Sequence, residues 1–341
     1  MRKARKLHIY AALSVALAVG VVGLPLVLEN KYLVHILIIT WMYTALGLGY
    51  DLTVGHVGLL SLAHPTFFGV GAYVAGIMST RLGSPFLVDF IVAGTVAAGL
   101  ALLVSVPFFR LDESSFAIGT LGFALIMQLV ANNEAWLTRG VKCITDVPQP
   151  RLTIPFLFDW HVSSLPHYYY LMLGILVAVV ALCWRLTTSR LGRTFISIRE
   201  DEVLARASGV DPLKYKTFAF VIGALIAGSV GAFYVHYSTV VCPSELSTFM
   251  TTMLLIILFM GGVGRMRGVI MGGIVFTLVP ELLRIAPEFR MVIYGVLLLV
   301  GIVFMPEGLD GILTRWLAKL RLRSTGASPG QDGQGQDNIS N

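Results

Sequence analysis

The sequence predicts an all-α polytopic membrane protein with about ten transmembrane helices. Three observations lead there. Only 13% of the residues are charged, 56% are hydrophobic, and the mean hydropathy is +0.80. Soluble domains carry close to twice that charged fraction. Apolar runs of about 18 residues or more recur, each long enough to cross the ~30 Å hydrocarbon core as a helix. The runs are continuous and do not alternate, which selects helices over barrel strands.

Taken in order, residues 1–6 (MRKARK) form a basic N-terminus. The apolar run after them is too long for a signal-peptide core and lacks a small-x-small cleavage site, so 7–28 reads as a retained first helix. Further spans are expected at 33–50, 59–80, 86–107, 115–137, 167–185, 216–238, 248–263, 268–284 and 290–305. They make up one polytopic membrane domain over 7–313. The loop 138–166 is rich in Pro, Trp and Phe and is expected to pack on the membrane surface or a partner. The tail 324–341 has almost no apolar content and is expected to be disordered.

Orientation follows from Lys and Arg. With alternating helices and a cytoplasmic N-terminus, 18 of the 25 basic residues fall on one side, and seven (Lys31, Arg81, Arg139, Lys142, Arg151, Arg284 and Arg290) on the other. The asymmetry puts both termini in the cytoplasm, 187–215 inside and 138–166 outside. It also accounts for the basic balance without nucleic acid. Small residues every three or four positions in 93–103 and 223–234 let helix backbones approach closely. Cys143, Cys183 and Cys242 have no metal-ligand spacing. Cys143 and Cys242 share the outer side, and two separate thiols are expected there in preference to a bridge.

Several function classes are excluded. No lysine follows a glycine, so there is no P-loop for nucleotide. There is no H-E-x-x-H. Ser61 and His64 lie on one short segment, not on facing helices as an intramembrane hydrolase needs. Asp51, Asp89, Glu134 and Glu281 fall near span ends, whereas a proton-coupled carrier places such groups deep in the membrane. A transporter without its own energy source must borrow one.

The stretch RLGRTFISIREDEVLARASGVDPLKYK (190–216) is the candidate docking element. Glu200, Asp201 and Glu202 stand where a helix start favours negative charge. Glu202 precedes Arg206 by four, the better orientation for a pair. Val203, Leu204 and Ala207 form a small apolar face. Gly209 suits a left-handed helix stop, and Pro212 prevents continuation. The element fits a protein partner or anionic lipid equally well on these grounds. A second stretch, GHVGLLSLAHP (55–65), crowds Gly55, Gly58 and Pro65 around Ser61 and His64. Non-helical backbone at membrane depth is tolerated where protein or a watery cavity covers it. His64 therefore either caps local backbone or touches permeating solute. GGVG (261–264) echoes GHVG (55–58).

R-E-D-E-x-x-A-x-x-x-G-V resembles the cytoplasmic loop of branched-chain amino acid ABC permeases of the LivM type. GYDLTVGHVGLLSLAHPTFFGVGAYVAG (49–76), FAIGTLGFALIMQLV (116–130), MGGVGRMRGVIMGG (260–273) and VIYGVLLLVGIVFMPEGLDGIL (292–313) agree with it in order. Ala63 stands where the family usually has glycine. The resemblance implies an ABC importer permease fold that catalyses no bond chemistry. It implies that Glu202, Ala205 and Gly209, flanked by Glu200 and Asp201, couple to an ATPase. It implies a translocation path near Gly55, Gly58, Ser61 and His64. Its implied partners are a second, LivH-like permease, two cytoplasmic ATPases that bind ATP and Mg, and a periplasmic binding protein. No cofactor is expected in this chain. Branched-chain or related amino acids are the implied substrates; urea, short amides and other small solutes stay compatible, and an ATP-independent channel or secondary carrier is the competing class. The chain would sit as a multi-pass protein in the bacterial inner membrane, in contact with lipid.

Overall fold

The computed structural model describes residues 30–154, 158–161 and 164–282, with scattered positions within 20–25 and 292–314. The expected spans 7–28 and 290–305, the basic terminus 1–6 and the tail 324–341 lie wholly or largely outside the described residues.

Helix α1 runs Lys31–Asp51 and continues through a π-helical turn, Leu52–His56. Helix α2 is His64–Leu82, α3 Phe86–Phe108 and α4 Glu113–Asn133, followed by a single turn, α5, at Ala135–Thr138. Helix α6 is Leu165–Thr188, α7 Arg190–Glu200, α8 Glu202–Ala207 and α9 Pro212–Ser238. Helix α10 is Thr248–Gly261 and α11 Met266–Leu282. A small sheet departs from an all-α fold. Strands β1 (Arg151–Ile154) and β2 (Phe158–His161) pair antiparallel in the loop between α5 and α6, with Arg151 opposite His161.

Each expected span within the described residues has a helix, and the shifts have physical causes. The third expected span begins at His64, not 59, because Gly58 takes φ 84° and breaks the chain after the π turn. Pro65 then sits in the first turn, where its missing N–H costs nothing. Among the described residues, five helices are long and apolar enough to cross a membrane: Lys31–His56, Phe86–Phe108, Glu113–Asn133, Leu165–Thr188 and Pro212–Ser238. Helix α10 has only 14 residues, about 21 Å at 1.5 Å each. The chain before it, which includes a 3-10 turn at Pro243–Leu246, packs on α2. Val241 packs against Gly76, and Leu246 against Gly69, both on α2.

The core is built on close backbone approach. Helix α9 lies along both α2 and α3. A Cβ on Gly71 would overlap the Gly228 backbone, and one on Gly231 would overlap the Phe68 carbonyl. Phe67, Phe109, Phe116 and Phe220 close one end of this seam, with ring centroids 5.3 Å apart for Phe67–Phe220 and for Phe109–Phe116. Outward faces of α3 and α4 stay apolar: Leu103 is 70% exposed and Ile118 71%, as lipid or a partner helix requires.

The helix ends sort into two groups. One end gathers Gly55, Arg199 and Gly264: Arg199 donates to the Gly55 carbonyl, and the Gly264 N–H to Asp51 at 2.8 Å. The other gathers the loops after α2, α4 and α9. There Arg81 donates to the Trp136 carbonyl at 2.7 Å. Ile144 and Val241 exchange backbone hydrogen bonds of 3.0 Å.

That bridge corrects the expectation of separate thiols. Cys143 and Cys242 flank the Ile144–Val241 pair and form a disulfide. The pairing was illegible because it depends on two loops, 99 residues apart, meeting as strands. Closing a loop of that length restricts the unfolded chain, and such bridges contribute about 2–4 kcal/mol. Cys143→Ser should therefore lower the thermal midpoint in non-reducing buffer, and dithiothreitol should lower the parent to match. An unchanged midpoint in both cases would show that the bridge is not stabilising.

Candidate coupling site and pathway segment

The charged stretch folds as two helices, not one. Ser189 caps α7 by accepting from the Leu191 N–H at 3.1 Å. Gly192, Phe195 and Ile198 bury one face of α7. Asp201 then turns extended, at φ −157°, and its carboxylate accepts from the Leu204 N–H at 2.9 Å. An aspartate cap of this kind both starts α8 and ends α7. The acidic trio is accordingly split, which corrects the expected single helix start. Glu200 closes α7, Asp201 is the cap, and Glu202 opens α8.

Glu202 holds Arg206 at 3.2 Å, as its spacing predicts, and also Lys216 at 2.5 Å from the foot of α9. Ala205 is buried, so it seats α8 on its own protein. Val203 is 80% exposed and Leu204 63%. Gly209 takes φ 84°, and the Val210 N–H returns to the Ala205 carbonyl at 3.1 Å. The result is a short, capped knob whose aliphatic side chains point away from the molecule.

The second stretch lies directly beneath. Asp51 ends α1, accepts from Gly264 N–H and faces His56 Nδ1 at 3.4 Å. Gly55 and Gly264 touch backbone to backbone, so GHVG and GGVG meet in space. Gly58 lies under the Arg199 side chain. Gly58 also lines a cavity of about 600 Å³ with Val54, Phe116, Arg199, Glu202 and Lys216. Ser61 and His64 are buried away from that cavity. The Tyr50 hydroxyl donates to the Ser61 carbonyl at 2.6 Å, and Ser61 Oγ accepts from the Ala63 N–H at 3.3 Å. His64 stacks on Tyr50 with ring centroids 4.8 Å apart, and its Nε2 has no hydrogen-bond partner among the described residues.

The opposite end holds a network the sequence reading missed. Asp89 and His236, both buried, meet at 3.1 Å. His236 Nδ1 lies 2.9 Å from the Pro148 carbonyl, and Ser84 donates to Asp89. Asp89 sits in the first turn of α3, where the dipole favours a carboxylate. That was the one legible signal; its partner lies 147 residues away. Asp51 and Asp89 do stand at span ends as expected, and both are engaged in structural contacts. Nearby, burial holds the Glu245 carboxyl above the ordinary carboxylate range, against the Tyr234 hydroxyl that donates to it at 2.9 Å. A raised acid favours the folded state at low pH and loses that contribution as pH rises through its folded pKa. Glu245→Gln should therefore melt higher than the parent at pH 8 and alike at pH 4; an equal gap at both would contradict this.

The family model described as branched-chain amino acid transport system / permease component matches residues 32–302. The chain is 30% identical to the high-affinity branched-chain amino acid transport system permease protein LivM of Escherichia coli, covering 93% of this chain and 78% of that protein. It is 30% identical to LivM of Salmonella typhimurium, covering 81% and 69%. It is 25% identical to the permease protein LivH of Salmonella typhimurium, covering 79% and 91%. No solved structure matches. The helical bundle, the membrane-length spans and these similarities agree: the chain belongs to the permease-component family of branched-chain amino acid transport systems and is of the LivM type.

Proposed function

We propose that this chain forms one half of the translocation pathway of an ABC importer in the bacterial inner membrane. It has about ten transmembrane helices and both termini in the cytoplasm. A LivH-like permease supplies the other half. Two ATPases bind ATP and Mg, and one of them grips α8. A periplasmic binding protein delivers substrate to the disulfide-bearing end. The chain carries no bond chemistry and needs no cofactor of its own. Branched-chain amino acids are the cargo, as in the transport systems of the LivM and LivH relatives.

The observation that carries this reading is the outward knob. A helix of six residues, capped at both ends and held by two cations on Glu202, keeps Val203 and Leu204 in solvent. Exposed aliphatics on a rigid element suit a protein groove better than a polar headgroup layer. Orientation has a second support. The end that the basic residues leave external is the end with the disulfide, and disulfides persist in oxidising compartments such as the periplasm. Glu200, Asp201 and Glu202 rim the knob and fix register with the ATPase; Ala205 and Gly209 hold its shape. Segment 52–64, with Gly55, Gly58, Ser61 and His64, is the wall of the path that moves, with solute passing at the interface between the two permeases.

The test is reconstitution in vesicles with and without each partner. Leucine uptake should need both permeases, the ATPases, ATP and the binding protein. Uphill uptake by this chain alone would overturn the reading.

A further inference from the structure

We propose that Arg199 is a positioning residue that carries displacement of the knob to the broken helix α1 and to the corner between α10 and α11. The proposal rests on the reading of α8 as the element an ATPase grips.

Arg199 lies in the last turn of α7, two residues before the Asp201 cap of α8. Any force on the knob therefore reaches it across the Asp201 cap that joins the two helices. Its Nη1 donates to the Gly55 carbonyl inside the π-helical turn. That turn ends α1, so its last carbonyls lack helical partners and attract a cation. The same nitrogen lies close over Gly264: a Cβ there would come within 2.8 Å of it. The Arg199 stem crosses Gly58, whose added Cβ would meet Cγ at 3.0 Å. One guanidinium thus spans the two glycine phrases 55–58 and 261–264. Asp51 locks them together by accepting the Gly264 N–H at 2.8 Å.

The mechanical properties match the role. The π turn is a local departure from α-helical register, and such turns recur at functional sites. Neither Gly55 nor Gly264 adds a side chain of its own to the junction, so the Asp51 and Arg199 hydrogen bonds are what tie its two halves together. The charged hydrogen bond is directional and short-ranged. Pulling α7 outward draws the Gly55 carbonyl with it, and the Asp51–Gly264 bond passes the shift to α10 and α11. Energetic coupling needs such a contiguous set of packed elements. Beyond Arg199, this end of the junction contains the titratable side chains of Asp51 and His56 and, in the neighbouring cavity, those of Asp112, Glu113, Glu202 and Lys216.

The assembled importer, in vesicles with its binding protein, leucine and ATP, tests this with Arg199→Met and Arg199→Lys. Methionine keeps the stem over Gly58 and removes only the donor. Hydrolysis stimulated by the binding protein should stay within about twofold of the parent, while leucine uptake falls about tenfold, the scale of one charged hydrogen bond. ATP consumed per leucine rises accordingly. Lysine, which can reach the same carbonyl, should restore most of the uptake. A purely structural role would lower hydrolysis and uptake together at constant ratio, and that result, or unchanged uptake, would overturn the proposal. If Leu204→Asp leaves the ATPase bound, the knob reading itself fails. If Leu204→Asp releases the ATPase while Arg199→Met stays fully coupled, only the strut fails.

Discussion

Leu204→Asp is expected to abolish ATP-driven uptake while leaving the chain folded in the membrane. Leu204 is 63% exposed, so the carboxylate meets water in the isolated chain and costs little there. In the complex it replaces an aliphatic anchor. The lost burial is about 1.5–3 kcal/mol, and an unpaired charge trapped in an apolar groove adds at least ~2 kcal/mol. Together these weaken the contact by at least a few hundredfold, enough to lose the ATPase on purification. Co-purification and uptake are the two readouts; detergent melting should not move. Gly209→Val acts on the same contact through shape. Nothing crowds Gly209, yet its φ of 84° is strained for a β-branched residue. The knob's exit would have to change course, and uptake should fall with insertion intact. Lys214→Ala is the control: its pair with Asp211 is exposed on both sides and should contribute almost nothing.

The second large effect is on the bundle itself. Gly71→Val should prevent assembly of α2 against α9. An added Cβ would overlap the Gly228 backbone, and backbone cannot rotate away. Separating the helices enough to fit two methyls breaks the contacts along the whole seam, including Gly231 on Phe68. Overpacking at a backbone crossing costs about 3 kcal/mol or more. The expected result is aggregation on size exclusion, with little folded protein. Gly99 on α3 is the contrast, since its Cβ would meet nothing within 4 Å. Gly99→Ala should be neutral or stabilising by up to about 1 kcal/mol. If both variants behave alike, the small-residue seam does not hold this fold together.

The two glycines look identical in sequence, and this marks where sequence reading stops. Hydropathy shows that α3 and α9 cross the membrane. It does not show which side of α3 meets α9, because residues on every side are apolar. Span ends came within a few residues of the expected bounds, and local chemistry sets the difference: Pro212 opens α9 ahead of 216, Gly83 stops α2 with φ 63° beyond 80, and Asp112 caps α4 ahead of 115 through Ser115. The knob was readable because its acidic start, ion pair and stop lie within about ten residues. Its internal division was not, because Asp201 can serve equally as a first-turn acid or as a cap. Ala205 was assigned with the coupling residues from a pattern, yet its burial depends on where α9 stands. The Cys143–Cys242 bridge, the Asp89–His236 pair and the Arg199–Gly55 contact all join positions about 100 or more residues apart. Such contacts are products of the assembled fold, and no local spacing announces them.

The central claim is that α8 points into the cytosol and is covered there by an ATPase. A single cysteine at position 204, in a chain that keeps its native disulfide and has Cys183 replaced by alanine, tests it with a membrane-impermeant maleimide. In inside-out vesicles the label should react fast with the permeases alone and at least about tenfold slower once the ATPases are bound, as burial at an interface implies. Intact spheroplasts should show no labelling. Labelling from the outer face, or a rate indifferent to the ATPases, would contradict the account.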